Sequence, residues 1–161
     1  MTEREYNTCV RNYADNVYRF ILKNIRHEED AQDIVQSAFE KLWKNREEVN
    51  AHTAKSYLFT IAYNQMIDHI RMAKRIQLRE TFRETEKISA AKSDNLKEIL
   101  HEALARLNET QRALVTLKDY EGYSYAEIGK ITSLSESQVK VYLHRARILL
   151  KQYLVKPENL I

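Results

Sequence analysis

An all-α fold of two small helical domains joined by a linker, the C-terminal one a helix-turn-helix, follows from three features of this 161-residue chain. Gly occurs twice and Pro once, so few turns can interrupt it and helices are the economical structure. Apolar residues recur at three- and four-residue intervals through most of the sequence. Ser124 with Glu127 and Ser135 with Gln138 have capping-box spacing and stand about eleven residues apart. Two helix starts that close leave room for one short helix, a tight turn and a second helix.

Taken in order, Tyr6, Val10, Tyr13, Val17, Phe20/Ile21 and Ile25 predict a first helix near 4–26. Ala31, Ile34, Val35, Ala38, Phe39, Leu42 and Trp43 predict a second over about 28–45. Its first turns carry Glu28, Glu29, Asp30 and Asp33, where carboxylates oppose the positive end of the helix dipole. Residues 46–53 lack periodicity and read as a loop. Thr53 is placed to cap a third helix running from about 54 into the seventies, with Leu58, Ile61/Ala62, Gln65 and Ile70 inward. From Ile76 to Asn95 the pattern weakens, as expected of a fraying helical tail and a linker. Asn95 with Glu98 and Asn108 with Gln111 are further capping pairs. The first precedes an apolar stripe through Leu107. The second starts a helix through Tyr120 that Gly122 ends at C′. The expected domains are residues 1–76 and 96–161, with 77–95 between them.

Composition narrows the function. Lys and Arg number 26 against 23 Asp and Glu, a net charge of +3. The distribution of charge therefore says more about partners than its sum. A single cysteine, Cys9, excludes an internal disulfide framework and suits a reducing compartment. No apolar run approaches the roughly 20 residues of a membrane span, and the N-terminus lacks the apolar core of a signal peptide. A cytoplasmic protein is expected.

The last helix carries the clearest asymmetry. Between Glu136 and Glu158 there is no carboxylate, while Lys140, His144, Arg145, Arg147, Lys151 and Lys156 fall in that interval. Val139, Leu143, Ala146, Leu150 and Tyr153/Leu154 form the inward stripe, so the cations occupy the remaining arc. A surface helix ordinarily mixes signs, because Glu–Lys pairs stabilise it slightly. A cation-only arc forgoes those pairs, and a polyanion laid against it removes the repulsion and releases counterions. Favourable interaction with the helix dipole covers Lys151 and Arg147, but not Lys140 near the start.

Residues 120–154, YEGYSYAEIGKITSLSESQVKVYLHRARILLKQYL, resemble the C-terminal DNA-binding region of bacterial sigma factors of the extracytoplasmic-function type. The resemblance implies that the helix after Ser135 enters the major groove at the minus-thirty-five promoter element. Ser135, Ser137 and Gln138 would stand at its entry. Base-edge roles fall near Lys140, Val141, His144 and Arg145, and backbone roles on Arg147 and Lys151. Two positions depart from the family pattern. Gly129 stands where Ala is usual, and Ser133 where the turn often has Gly, which bears on the turn's positive φ.

The N-terminal half resembles the same family. EEDAQDIVQSAFEKLWKNRE, residues 28–47, is similar to the segment that docks on a coiled coil of the polymerase β′ subunit. The resemblance assigns Asp30, Asp33, Gln36, Phe39 and Trp43 to that contact; core packing of Phe39 and Trp43 is the other account of the aromatics. KSYLFTIAYNQMIDHIRMAKR, residues 55–75, is similar to the segment that reads the minus-ten element. Asn64, Asp68, His69, Arg71, Lys74 and Arg75 bring base-edge and phosphate partners. Tyr rings offer faces for unstacked bases. In the family a base of the non-template strand is captured around this helix. The candidates carried over are His52, Lys55, Tyr57, Tyr63 and Asn64, with Tyr57 and Tyr63 equally readable as core.

The resemblance implies binding to core RNA polymerase through its β′ and β subunits, to duplex and melted promoter DNA, and to an anti-sigma protein. It implies no catalytic residue, no metal, no cofactor and no small-molecule substrate. A linker of about 18 residues reaches at most roughly 60 Å, more than one duplex turn of about 34 Å. Two promoter elements can therefore be read by one chain. Two other functions compete. A helix-turn-helix regulator that never joins polymerase would use the N-terminal half for ligands or dimerisation. A protein-binding helical module would leave the cation-only arc without a role. For catalysis the single signal is Glu98 with His101, one Glu-x-x-His where a di-iron bundle needs two plus further carboxylates. Metalloprotease and phosphate-loop motifs are absent.

Overall fold

The computed structural model describes residues 1–80 and 96–155. Helix α1 (Glu3–Ile25) begins at a reciprocal cap: the Thr2 hydroxyl accepts from Glu5 N–H, and the Glu5 carboxylate accepts from Thr2 N–H. It ends at Arg26, whose φ of 54° turns the chain sharply. His27 then caps α2 (Glu28–Lys44), its Nδ1 accepting from Asp30 N–H at 3.2 Å. A turn-rich segment leads to α3 (Ala54–Glu80). The Thr53 hydroxyl turns back to Asn50 instead of capping α3. Residues 77–80, assigned on sequence to the linker, are the last turn of α3. The three helices close around Val17, Phe20, Ile21, Ala38, Leu42, Leu58 and Met66, all with no exposed surface.

The C-terminal half holds α4 (Leu96–Ala105), α5 (Glu109–Val115), α6 (Tyr125–Thr132) and α7 (Glu136–Leu154). The expected Asn95 cap lies outside the described residues. Asn108 and Gln111 form the reciprocal cap of α5. Instead of continuing as α-helix to Tyr120, the chain widens to a π-helical segment over Thr116–Tyr120. Gly122 at φ 74° ends it, and Tyr123 N–H returns to the Leu117 carbonyl. Leu114, Leu117, Ile128 and Ile131 are buried, together with Val139 and Leu143 of α7 itself. Each such side chain contributes about 1.5–3 kcal/mol.

The helix-turn-helix corner has two tight points. Ser133 closes α6 at φ 60° and ψ 34°, a left-handed conformation that costs a residue with a Cβ about 1–2 kcal/mol. The turn thus keeps its positive φ with serine in place of glycine. Replacing Ser133 with Gly should stabilise the fold by about 0.5–1 kcal/mol, the strain relief being partly offset by unfolded-chain entropy. At Gly129 a Cβ would lie 2.7 Å from the Leu134 carbonyl oxygen. Helix propensity favours Ala by about 1 kcal/mol, but this neighbour is backbone and cannot rotate away. Gly129→Ala should therefore destabilise, by about 1–3 kcal/mol. Urea unfolding of both variants checks the opposite signs.

The two halves pack directly on each other. The Phe59 ring lies 5.5 Å from Phe20 and 5.3 Å from Tyr123. Beside it, Asn24 Nδ2 donates to Thr116 Oγ1 at 3.0 Å, joining buried side chains of α1 and the π segment.

Candidate nucleic-acid interface

Helix α7 starts from a complete capping box, Ser135 with Gln138. That box fixes the first turn against the α6 corner. Val139, Leu143, Ala146 and Tyr153 are buried as the stripe requires. Ser135, Ser137, Gln138, Lys140, Val141, His144, Arg145, Arg147 and Lys151 are all exposed. His144, Arg145 and Lys151 make no ion pair among the described residues. Lys140 reaches Glu136 at 3.6 Å, one turn back, and sits over the Tyr125 ring at 5.5 Å. Arg147 departs from the cation-only arc: Asp119, on the π segment, meets its guanidinium at 2.9 Å. Partial burial would lower the Arg147 pKa, but the Asp119 carboxylate holds it above its ordinary value. A polar cleft of about 280 Å³ opens beside Arg145, lined also by Asn108, Gln111 and Tyr142.

On α3 the candidates divide between two faces. Asn64, Asp68, Arg71 and Arg75 are exposed at helical spacing and form one solvent stripe. His69, half-buried, places Nε2 3.2 Å from the Asp30 carboxylate, which also faces His27 at 3.3 Å. Lys55, Tyr63 and Lys74 look toward the C-terminal half. The Lys55 ammonium lies over the rings of Tyr13 and Tyr123, at 5.6 and 5.1 Å. Lys74 holds Glu109 at 2.6 Å, and that hydrogen bond lowers the Glu109 pKa. Tyr63 is 8% exposed, and burial raises its hydroxyl pKa, so in this arrangement its ring is packed within the protein. Tyr57 is half-buried and its hydroxyl accepts from Asn45 at 3.0 Å. His52 is exposed in the loop before α3. Preceding it, Ala51 helps line a cleft of about 250 Å³ with Thr8, Asn12 and Tyr13.

On α2, Asp33 and Gln36 are exposed and Asp30 borders a cleft of about 450 Å³ between α2 and α3. Phe39 is placed as the core account of the aromatics describes. It is 7% exposed and covered by the edge of Tyr6, so it belongs to the core. Trp43 is half-buried, with Tyr6 at 4.8 Å and the Arg46 guanidinium over its ring at 3.9 Å. Among the described residues no cluster of three or more His, Cys, Asp or Glu is placed to hold a metal ion. None of the described helices is long and apolar enough to cross a membrane.

Sequence reasoning missed Glu109, Asp119 and Tyr123. Each acts on a partner far along the chain, and no local pattern marks it.

Residues 9–76 match the family described as sigma-70 region 2, and residues 97–150 match sigma-70 region 4. RNA polymerase sigma factor SigV of Bacillus subtilis is 32% identical over 154 residues, covering 94% of this chain and 92% of the relative. ECF RNA polymerase sigma factor SigE of Mycolicibacterium smegmatis is 29% identical over 160 residues, covering 94% of this chain and 62% of the relative. Among solved structures, the sigma factor RpoE of Bartonella quintana, in complex with the anti-sigma factor NepR, superposes with a TM-score of 0.77. It is 21% identical and covers 94% of this chain and 97% of its own, a likeness of fold.

Proposed function

Because the chain belongs to the extracytoplasmic-function sigma factors of bacterial RNA polymerase, which bind the core enzyme and direct promoter-specific initiation, we propose how its residues divide that work. Residues 1–76 serve as the domain that binds core polymerase and the minus-ten element. Residues 96–161 serve as the domain that binds the minus-thirty-five element. On α7, Lys140, Val141, His144 and Arg145 face base edges, while Ser135, Ser137, Gln138 and Lys151 border the sugar-phosphate backbone. Arg147 joins them by exchanging Asp119 for a phosphate. The observation that carries this assignment is the exposed set His144, Arg145 and Lys151, without an ion pair among the described residues, on the second helix of a helix-turn-helix.

On α3, Asn64, Asp68, Arg71 and Arg75 form the stripe that meets the minus-ten element, with His52, Lys55, Tyr57, His69 and Lys74 around it. Opening duplex costs about 1.4 kcal/mol per step, and captured bases offset part of that. Asp33, Gln36, Asp30 and the exposed edge of Trp43 meet the β′ subunit. Polymerase performs the chemistry, and the protein works in the cytoplasm where polymerase is. An anti-sigma protein is the partner that would hold it inactive; the Bartonella quintana sigma factor of similar fold is in complex with one.

Gel filtration with core RNA polymerase tests the assignment. The full chain should co-elute in equimolar amount, and Asp33→Arg should lose most of that co-elution without a change in melting temperature. A protein that elutes apart from core polymerase would be a regulator of another kind.

A further inference from the structure

The base-facing arc of α7 holds one side chain that cannot hydrogen-bond. Val141 is 45% exposed and stands between Lys140 and the pair His144 and Arg145. Val139 and Leu143, two residues to either side, are buried, so Val141 lies roughly opposite the core stripe. Arg145 shares its face, one turn further and about 6 Å along the axis. Resting on the reading of α7 as the minus-thirty-five reader, we infer that Val141 determines specificity by seating the C5-methyl group of a thymine. The upstream element then carries a T·A pair within about three base pairs of the pair that Arg145 reads.

The chemistry of the groove leaves one partner for an isopropyl group. Major-groove base edges display acceptors, amine donors and a single apolar feature, the thymine methyl. Valine pressed on an acceptor or donor strips its water and returns no hydrogen bond, which costs affinity. Against the methyl both surfaces are apolar, and burying them is favourable. Valine is also short and β-branched, so in a helix one χ1 rotamer holds it in place. The polar neighbour on one side is drawn away: the Lys140 ammonium lies 3.6 Å from Glu136 and 5.5 Å over the Tyr125 ring, toward α6. Arg145 makes no ion pair among the described residues, and its fork matches guanine O6 and N7. Ile148, 44% exposed, lies on the same side two turns later, past the N-terminal turns by which a recognition helix reads bases.

Deoxyuridine differs from thymidine by that methyl alone, which makes the contact testable atom by atom. The probe is a promoter duplex recovered by in vitro transcription with core polymerase and the full chain. Its upstream thymines are replaced one at a time by deoxyuridine, on either strand, and holoenzyme affinity is measured. With the wild type, one replacement near the position that Arg145→Ala relaxes should weaken binding about 3–5-fold. Val141→Ala should bind the thymine and deoxyuridine duplexes alike. Its melting temperature should hold, because the side chain is exposed. Val141→Ile and Ile148→Ala should both keep the wild-type difference. A wild-type holoenzyme indifferent to every replacement, or a deoxyuridine penalty that persists in Val141→Ala, would overturn the thymine contact. Arg145→Ala separates this from failure of the underlying reading. If it relaxes an upstream position while every replacement is silent, α7 still reads bases and only the methyl seat falls. If it relaxes none, α7 is not the base reader and both fall.

Discussion

Phe59→Ala should cost the protein about 3–5 kcal/mol, the largest stability loss expected here. Phe59 has no exposed surface and its ring contacts Phe20 within the N-terminal half and Tyr123 from the C-terminal half. Truncation leaves a cavity that neither α1 nor the segment before α6 can fill by a side-chain rotation alone, because both are held by the buried Asn24–Thr116 hydrogen bond. For a chain of this size such a loss lowers the melting temperature by roughly 6–20 °C. Leu149→Ala serves as the contrast: Leu149 is 43% exposed on α7 and should change stability by no more than about 0.5 kcal/mol. Calorimetry of the two variants checks this. A Phe59→Ala melt within a degree or two of the parent would mean that the two halves do not share the core described.

Arg145→Ala should weaken the holoenzyme's discrimination among upstream bases by about 1–3 kcal/mol, or roughly 5- to 150-fold. Arg145 is exposed and makes no ion pair among the described residues, so its fork can engage a guanine edge without first breaking such a pair. Lys151→Ala should instead weaken all sequences alike and flatten the salt dependence by about one unit. Arg147→Ala should show less than a free phosphate contact, because part of any DNA interaction is spent releasing Asp119. Competition binding against single-base variants of one promoter, at several salt concentrations, separates the two classes. Equal, sequence-independent losses for Arg145 and Lys151 would remove α7 as the base-reading helix.

The helices were legible because their caps and stripes are local. Asn108 with Gln111 and Ser135 with Gln138 announce α5 and α7 within four residues. The Thr2–Glu5 box has the same spacing and is legible by the same rule. The π segment was not legible, since one wider turn changes no periodicity enough to notice. Nor was the allocation of aromatics: Phe39 and Tyr63 carry the same spacing signal whether they face a partner or the core. The long-range contacts lay furthest from view. Asn24 and Thr116 are 92 residues apart, and only the packing of the halves brings them together. Within the C-terminal half, the packing of α7 beside the π segment delivers Asp119 to Arg147, so an arc without acids in sequence acquires one in space.

We propose that the exposed cations of α7 seat the protein on duplex DNA upstream of the start site. In vitro transcription from a genomic fragment library, with core polymerase plus the wild-type chain or Arg145→Ala, addresses it most directly. The wild type should yield discrete starts that share an upstream sequence one spacer away from a second shared element, and Arg145→Ala should relax the upstream sequence alone. Starts indistinguishable from those of core polymerase by itself, or an upstream sequence indifferent to Arg145, would contradict it.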